Sequence, residues 1–160
     1  MAHWVDQIAE KQIHGKSVAE ARLQANAASS LRVQARILEY WHQLVLELKE
    51  AERKLQENAG LHIAASVSVH VDPEFENKLR INITQMGFRP EITYTDVFHL
   101  IGQQFIRCHT LHGDTFRLPF GERGDGAIGL YSEDGRGVMM TPERAAHYIV
   151  EPMIKRVRGE

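Results

Sequence analysis

Hydrophobic positions in the first third of the chain recur at helical spacing. Leu31, Leu38 and Val45 repeat every seven residues, Trp41, Leu48 and Leu55 repeat three positions further on, and Ile37, Leu44 and Ala51 lie beside them. Such a repeat sets apolar side chains along one seam of a helix, as in the a and d positions of a coiled coil. Ser17, Val18, Ala19 and Glu20 have the form of a capping box, in which Ser17 and Glu20 each satisfy an orphan backbone N–H. Neither proline nor glycine follows until Gly60, so the pattern predicts one helix from Ser17 to Asn58. Ahead of it, Trp4, Val5, Ile8 and Ile13 predict a short separate amphipathic arm that ends at His14–Gly15. From Val18 to Ser30 the helix is rich in alanine and serine, which suits either close helix approach or a solvated spacer.

The length of this helix bears on its partner. From Val18 to Asn58 it would measure about 60 Å at the standard rise, whereas a domain of roughly one hundred residues has a radius of gyration near 13 Å, about 13 Å being too small to cover it. The stripe of Leu31, Leu38, Trp41, Val45, Leu48 and Leu55 is therefore expected to form an oligomer interface, most simply with the same helix of a second subunit in a homodimer. A helical hairpin broken near Asn26–Ser30 is the competing arrangement. The expected organisation is a helical arm and oligomerisation helix over 1–58, followed by an α+β domain over 59–160.

Beyond residue 60 the period changes to two. Ile63, Ala65, Val67, Val69 and Val71 alternate with His62, Ala64, Ser66, Ser68 and His70, which predicts a half-buried strand. After the Asp72–Pro73 turn, Leu79, Ile81 and Ile83 alternate inward over Lys78–Gln85 and complete an antiparallel hairpin. Phe88–Tyr94 predicts a third strand, at an edge because Pro90 interrupts it. Thr93–Asp96 repeats the capping-box form, and Val97, Leu100, Ile101, Phe105 and Cys108 follow at helical spacing, so a second helix is predicted there. Leu111–Phe120 and Ala127–Ser132 predict short strands, with an Asp134–Gly135 hairpin signature after them. Thr141–Pro142 is an N-cap and N1 pair, and the stripe from Ala145 to Val157 passes through Pro152 without changing phase, predicting one kinked final helix.

The fold class is thus α+β: a long N-terminal helix, then an antiparallel sheet with two further helices, in the order α-β-β-(β)-α-β-β-α. This order resembles that of the small dimeric chaperones that escort secreted effectors in bacteria. The resemblance rests on element order alone and implies a dimer that binds a protein partner.

Composition narrows the function. The chain has 160 residues, 43% hydrophobic and 25% charged, with a formal net charge of −2, which removes a global electrostatic case for nucleic acid or anionic membrane. Cys108 is the single cysteine, so no intrachain disulfide and no paired-thiol zinc pattern exists, and a reducing compartment is expected. Asp6 and Glu10 interrupt the first turns and no continuous apolar run is present, which predicts neither a signal peptide nor a membrane span, hence a cytoplasmic protein.

Candidate chemistry is sparse. His109, His112 and Asp114 form the sharpest polar group and could ligate a divalent metal such as zinc with one position open to water, the basis of an alternative reading as a metal-dependent hydrolase. No His-Glu-x-x-His motif accompanies them, so turn or surface histidines explain the run more simply. Cys108 continues the apolar phase of its segment and reads as a buried, inert thiol. His62 and His70 are too far apart on one strand to share an ion; with Ser66 and Ser68 they predict a polar partner-binding face, to which exposed helix positions near Trp41 would add. Gly121, Gly124, Gly126 and Gly129 match no phosphate-binding motif and read as turns. Lys155, Arg156 and Arg158 complement the final helix dipole, or alternatively contact nucleic acid. With no convincing catalytic set and no implied cofactor, the expectation is a non-enzymatic oligomeric interaction protein, an assembly factor, chaperone-like adaptor or regulator that binds a protein partner.

Overall fold

The computed structural model describes residues 4–72, 76–111, 113–122, 126–132 and 138–160; the side chains of residues 6, 13, 14, 16 and 25–30 lie outside that description. The Asp134–Gly135 hairpin and His112 fall outside the described residues. By contact the chain divides into two compact units, Met1–Arg36 and Ile37–Glu160. No helix among the described residues is long and apolar enough to cross a membrane.

Helix α1 runs from Trp4 to Glu57, 54 residues without interruption. The expected break at Gly15 and the expected helix start at Ser17 are both corrected. A glycine inside a helix costs only about 1 kcal/mol relative to alanine, whereas ending one helix and starting another leaves four backbone groups at each new terminus to be satisfied elsewhere. The hairpin near Asn26–Ser30 is likewise excluded, since the backbone is helical throughout that stretch. In the first unit α1 is the only element described.

In the second unit, the part of α1 from Ile37 onward buries Ile37, Tyr40, Trp41, Leu44 and Leu48, the spacing of one helix face. That face packs on the unit's own sheet, not on another subunit. Polar clips hold the register: the Tyr40 hydroxyl donates to the Met140 carbonyl at 2.8 Å, Gln56 Nε2 donates to the Ala65 carbonyl at 2.6 Å, and the Val67 N–H donates to the Glu52 carboxylate at 2.8 Å. Burial pushes the Tyr40 pKa upward, so its hydroxyl stays protonated as a donor.

Six strands follow in an antiparallel meander whose spatial order is its sequence order: β1 (Ile63–Asp72), β2 (Glu76–Gln85), β3 (Glu91–Leu100), β4 (Phe105–Thr110), β5 (Thr115–Glu122) and β6 (Ile128–Leu130). The β1–β2 hairpin has the expected inward residues, with Ile63, Ala65, Leu79, Ile81 and Ile83 buried; Val69 and Val71, at the far end of the β1 edge strand, stay exposed. Two expectations fail in the middle of the sheet. The third strand begins after Pro90, not across it, and lies between β2 and β4 instead of at an edge. The predicted second helix at Val97–Cys108 is instead β3, a turn at Gly102 with φ +97°, and β4. Thr93, Thr95, Val97 and His99 are the inward series of β3, so polar and β-branched residues carry the strand alternation that the apolar positions alone conceal. The class remains α+β, with one C-terminal helix.

Helix α2 (Pro142–Val157) starts as expected: Thr141 is its N-cap and its hydroxyl accepts from the Arg144 N–H at 3.3 Å. It continues through Pro152 and buries Ala145, Ala146, Ile149, Val150, Met153 and Val157. It crosses β2, β3 and β6. Both helical segments of this unit thus lie on one face of the sheet, and among the described residues no element covers the opposite face.

Candidate functional site

The open face of the sheet is built by the outward residues of β1 to β5, and strand register places them in rows. One row runs His70, Lys78, Phe98, Arg107, Arg117; the next runs Ser68, Arg80, Asp96, His109, Thr115. Opposed Cβ atoms on neighbouring strands lie about 5 Å apart, so each row is a line of touching side chains. Cations alternate with aromatic rings: the Arg80 guanidinium lies 4.2 Å from the Tyr94 ring centre, Lys78 Nζ and Arg107 each 5.2 Å from that of Phe98, and Arg117 4.8 Å from that of Phe105. Arg80 also grips Asp96 with two hydrogen bonds of 2.7 and 2.9 Å. These bonds hold the Asp96 carboxyl below the usual carboxylate range against the opposing effect of its burial, and Lys78 and His109 add to the depression. Among the described residues no ion pair joins Lys78, Arg107 or Arg117 to a carboxylate.

The residues expected to form one polar face are brought together only in part. Ser66, Ser68 and His70 do project from the outer face of β1, and Asn82 Nδ2 donates to the Ser66 hydroxyl at 3.4 Å. His62 does not belong with them. It ends the short 3₁₀ turn Ala59–Leu61 in a left-handed conformation, φ 52°, before β1 begins. Trp41 is also corrected, because it is 1% exposed and its ring faces His99 inside the core. Of the expected oligomer stripe, Leu48 is buried in the same core and Val45 and Leu55 pack against it, whereas Leu31 and Leu38 remain exposed.

The candidate metal ligands are distributed differently from one another. His109 lies on the open face and its Nδ1 makes a 3.0 Å hydrogen bond with the Thr115 hydroxyl, whereas Asp114 lines a groove beneath α2. Among the described residues no three His, Cys, Asp or Glu side chains come together to hold a metal ion. Cys108 is fully buried, and burial pushes its thiol up to about 12, which leaves no thiolate for nucleophilic chemistry near neutral pH. The glycine run has a packing role at two positions. Gly121 and Gly129 pair across β5 and β6, where an added Cβ would collide with the Tyr131 ring or with Met139.

Two grooves flank α2. The first, about 430 Å³, has walls of Thr93, Thr95, Thr110, Phe116 and Tyr148, and its charged rim is balanced, Asp114 and Glu151 against Lys155 and Arg156. The second, about 600 Å³, runs between α1 and α2 over Leu55, Leu61, Val150 and Ile154. The basic end of α2 is largely compensated: Lys155 pairs with Glu151 at 3.1 Å and Arg158 with Glu160 at 3.7 Å.

Sequence reasoning missed the cation and aromatic rows because Phe98, Phe105 and Arg107 lie in the segment assigned to a helix. It also missed His99, which is 1% exposed among Trp41 and Phe120. Its Nε2 lies 3.0 Å from the Gln103 carbonyl and is therefore the protonated nitrogen, while Nδ1 has no hydrogen-bond partner among the described residues. Burial lowers the His99 pKa, and the Gln103 bond opposes that shift only in part. No protein-family model, curated protein or solved structure matches this chain, so what it does has to be argued from these surfaces.

Proposed function

We propose that this chain is a non-enzymatic interaction protein, an adaptor or assembly factor in which the Trp4–Arg36 part of α1 joins two copies and the α+β unit engages a protein partner. The observation that carries the reading is the exposure of large apolar side chains along that part of the helix. Trp4 is 65% exposed, Leu23 69% and Leu31 72%, with Val5, Ile8 and Val18 also exposed. Scattered surface apolar residues are ordinary. Here, however, they lie on a unit made of one helix alone, and most helical stability in proteins comes from tertiary packing of an apolar face. A second copy supplies that packing with no further component, by an isologous contact.

Sedimentation tests this directly. The full chain is expected to sediment as a dimer at micromolar concentration, and Leu23→Asp with Leu31→Asp should convert it to a monomer without moving the unfolding midpoint of the α+β unit. A wild-type monomer across the accessible concentration range removes the proposal.

A further inference from the structure

The open sheet face carries a feature that self-association does not use. Lys78, Arg107 and Arg117 occupy one register row, separated only by Phe98, and Arg107 stands directly opposite Arg117. Like charges directly opposed on neighbouring strands destabilise a sheet. At about 4.8 Å between strands, the row concentrates three cations within about 14 Å. This happens in a chain whose net charge is −2. The nearest carboxylate of the adjoining row, Asp96, is engaged by Arg80, and the other outward carboxylates of the described strands, Asp72 and Glu76, stand opposite each other at the hairpin end of β1 and β2, beyond the Lys78 end of the row. The cations at the end of α2 make a contrast: there Lys155 and Arg158 form ion pairs, whereas among the described residues Lys78, Arg107 and Arg117 form none.

We propose that the open face of β2–β5 binds single-stranded nucleic acid, with Lys78, Arg107 and Arg117 on the phosphates and the Tyr94, Phe98 and Phe105 positions serving as the stacking platform. A polyanion matches the charge, and the interleaved rings select among polyanions. Bases stack on aromatic rings and on guanidinium planes, and Arg80, bound to Asp96 by two hydrogen bonds and 4.2 Å from the Tyr94 ring centre, is a guanidinium already held in place. An acidic peptide offers no comparable π-faces. A membrane surface calls for apolar side chains that protrude, whereas Tyr94, Phe98 and Phe105 are half-buried in the plane of the face.

Fluorescence anisotropy of the full chain with labelled 20-nucleotide dT and U homopolymers tests the proposal. Three phosphate contacts predict a slope of about −2 for log affinity against log salt, hence roughly 20-fold weaker binding at 200 than at 50 mM salt. Arg107→Ala with Arg117→Ala should weaken binding about tenfold at low salt and flatten the slope towards −0.7, roughly the value for one contact. Phe98→Leu should weaken binding while leaving the slope unchanged, because it removes stacking and not charge. A Lys155→Ala/Arg156→Ala/Arg158→Ala variant should bind as wild type. If the double arginine variant loses its circular dichroism spectrum, Lys78→Ala on a different strand carries the same expectation at about one contact of slope. The proposal is overturned by absence of binding at 50 mM salt, by equal affinity for a 20-base-pair duplex, by indifference to Phe98→Leu, or by arginine-dependent binding to phosphatidylserine vesicles without binding to either homopolymer.

Discussion

The two parts of α1 use similar side chains to different ends. From Trp4 to Arg36 the large apolar residues Trp4, Leu23 and Leu31 are mostly exposed; from Ile37 to Glu57 the residues Ile37, Trp41, Leu44 and Leu48 are 1% exposed or less. One continuous backbone carries both. Apolar periodicity states that a helix has a face to cover, and it does not state what covers it. In the second part the cover is the chain's own sheet, which arrives later in the sequence; in the first part no other element of that unit is found among the described residues to provide one.

The largest expected contrast between the parts is in stability. Trp41→Ala removes a fully buried indole and should destabilise the α+β unit by about 3–5 kcal/mol, whereas Leu31→Ala, on the exposed part, should change its unfolding free energy by less than about 0.5 kcal/mol. Urea titration of both variants checks this, and equal losses would mean that Leu31 is also core. For the same reason an aspartate at Leu48 is no probe of oligomer contacts, because it would unfold the unit before it separated two copies.

A smaller contrast should appear on acidification. His99 packs beside Trp41 and has its pKa lowered from the ordinary 6.5, chiefly by burial. Below 6.5 the unfolded chain takes up a proton that the folded chain refuses, so stability is full above that pH and falls as pH drops towards the lower folded value. For one proton the slope cannot exceed about 1.4 kcal/mol per pH unit within that window. His99→Leu should abolish this component of the pH dependence in urea titrations between pH 5 and 7, values of about 5 to 7 bracketing the ordinary histidine range. An unchanged slope in that variant would assign it to other histidines.

The smallest effect is expected at Arg80 and Asp96, where one partner is exposed. Arg80→Met should let the Asp96 carboxyl titrate nearer its ordinary 3.8, visible as an upward shift in its NMR titration. In the wild type the pair's contribution is present above 3.8 and is lost as pH falls through the depressed folded value. No shift in the variant would mean that the two hydrogen bonds are not what holds Asp96 charged.

How much was legible varied with how local the cause was. The Thr141–Pro142 start of α2, its passage through Pro152 and the β2 alternation of Leu79, Ile81 and Ile83 all depend on neighbours within a few residues, and they could be read directly. The β3–β4 region could not. Its outward positions Ile92, Tyr94 and Phe98 are apolar and its inward positions Thr93, Thr95 and His99 are polar, the reverse of the usual strand pattern. With Leu100, Ile101 and Phe105 added, apolar residues recur at helical spacing by coincidence. Of the candidate binding residues, Ser66, Ser68 and His70 were legible from alternation, whereas Lys78, Arg80, Arg107 and Arg117 gain meaning only when β2 to β5 are laid side by side.

The amino-acid sequence by itself determined that a long helix comes first, that a sheet follows, and that a capped helix closes the described chain, because propensity, capping and short-period alternation act within one or two turns. Tertiary structure alone decided which part of the helix is core, that Thr93, Thr95 and His99 face inward, and that three cations share one row. Each of those outcomes depends on residues tens of positions apart meeting across strands or layers. Pairing of that kind has no periodicity along the chain from which it could be read.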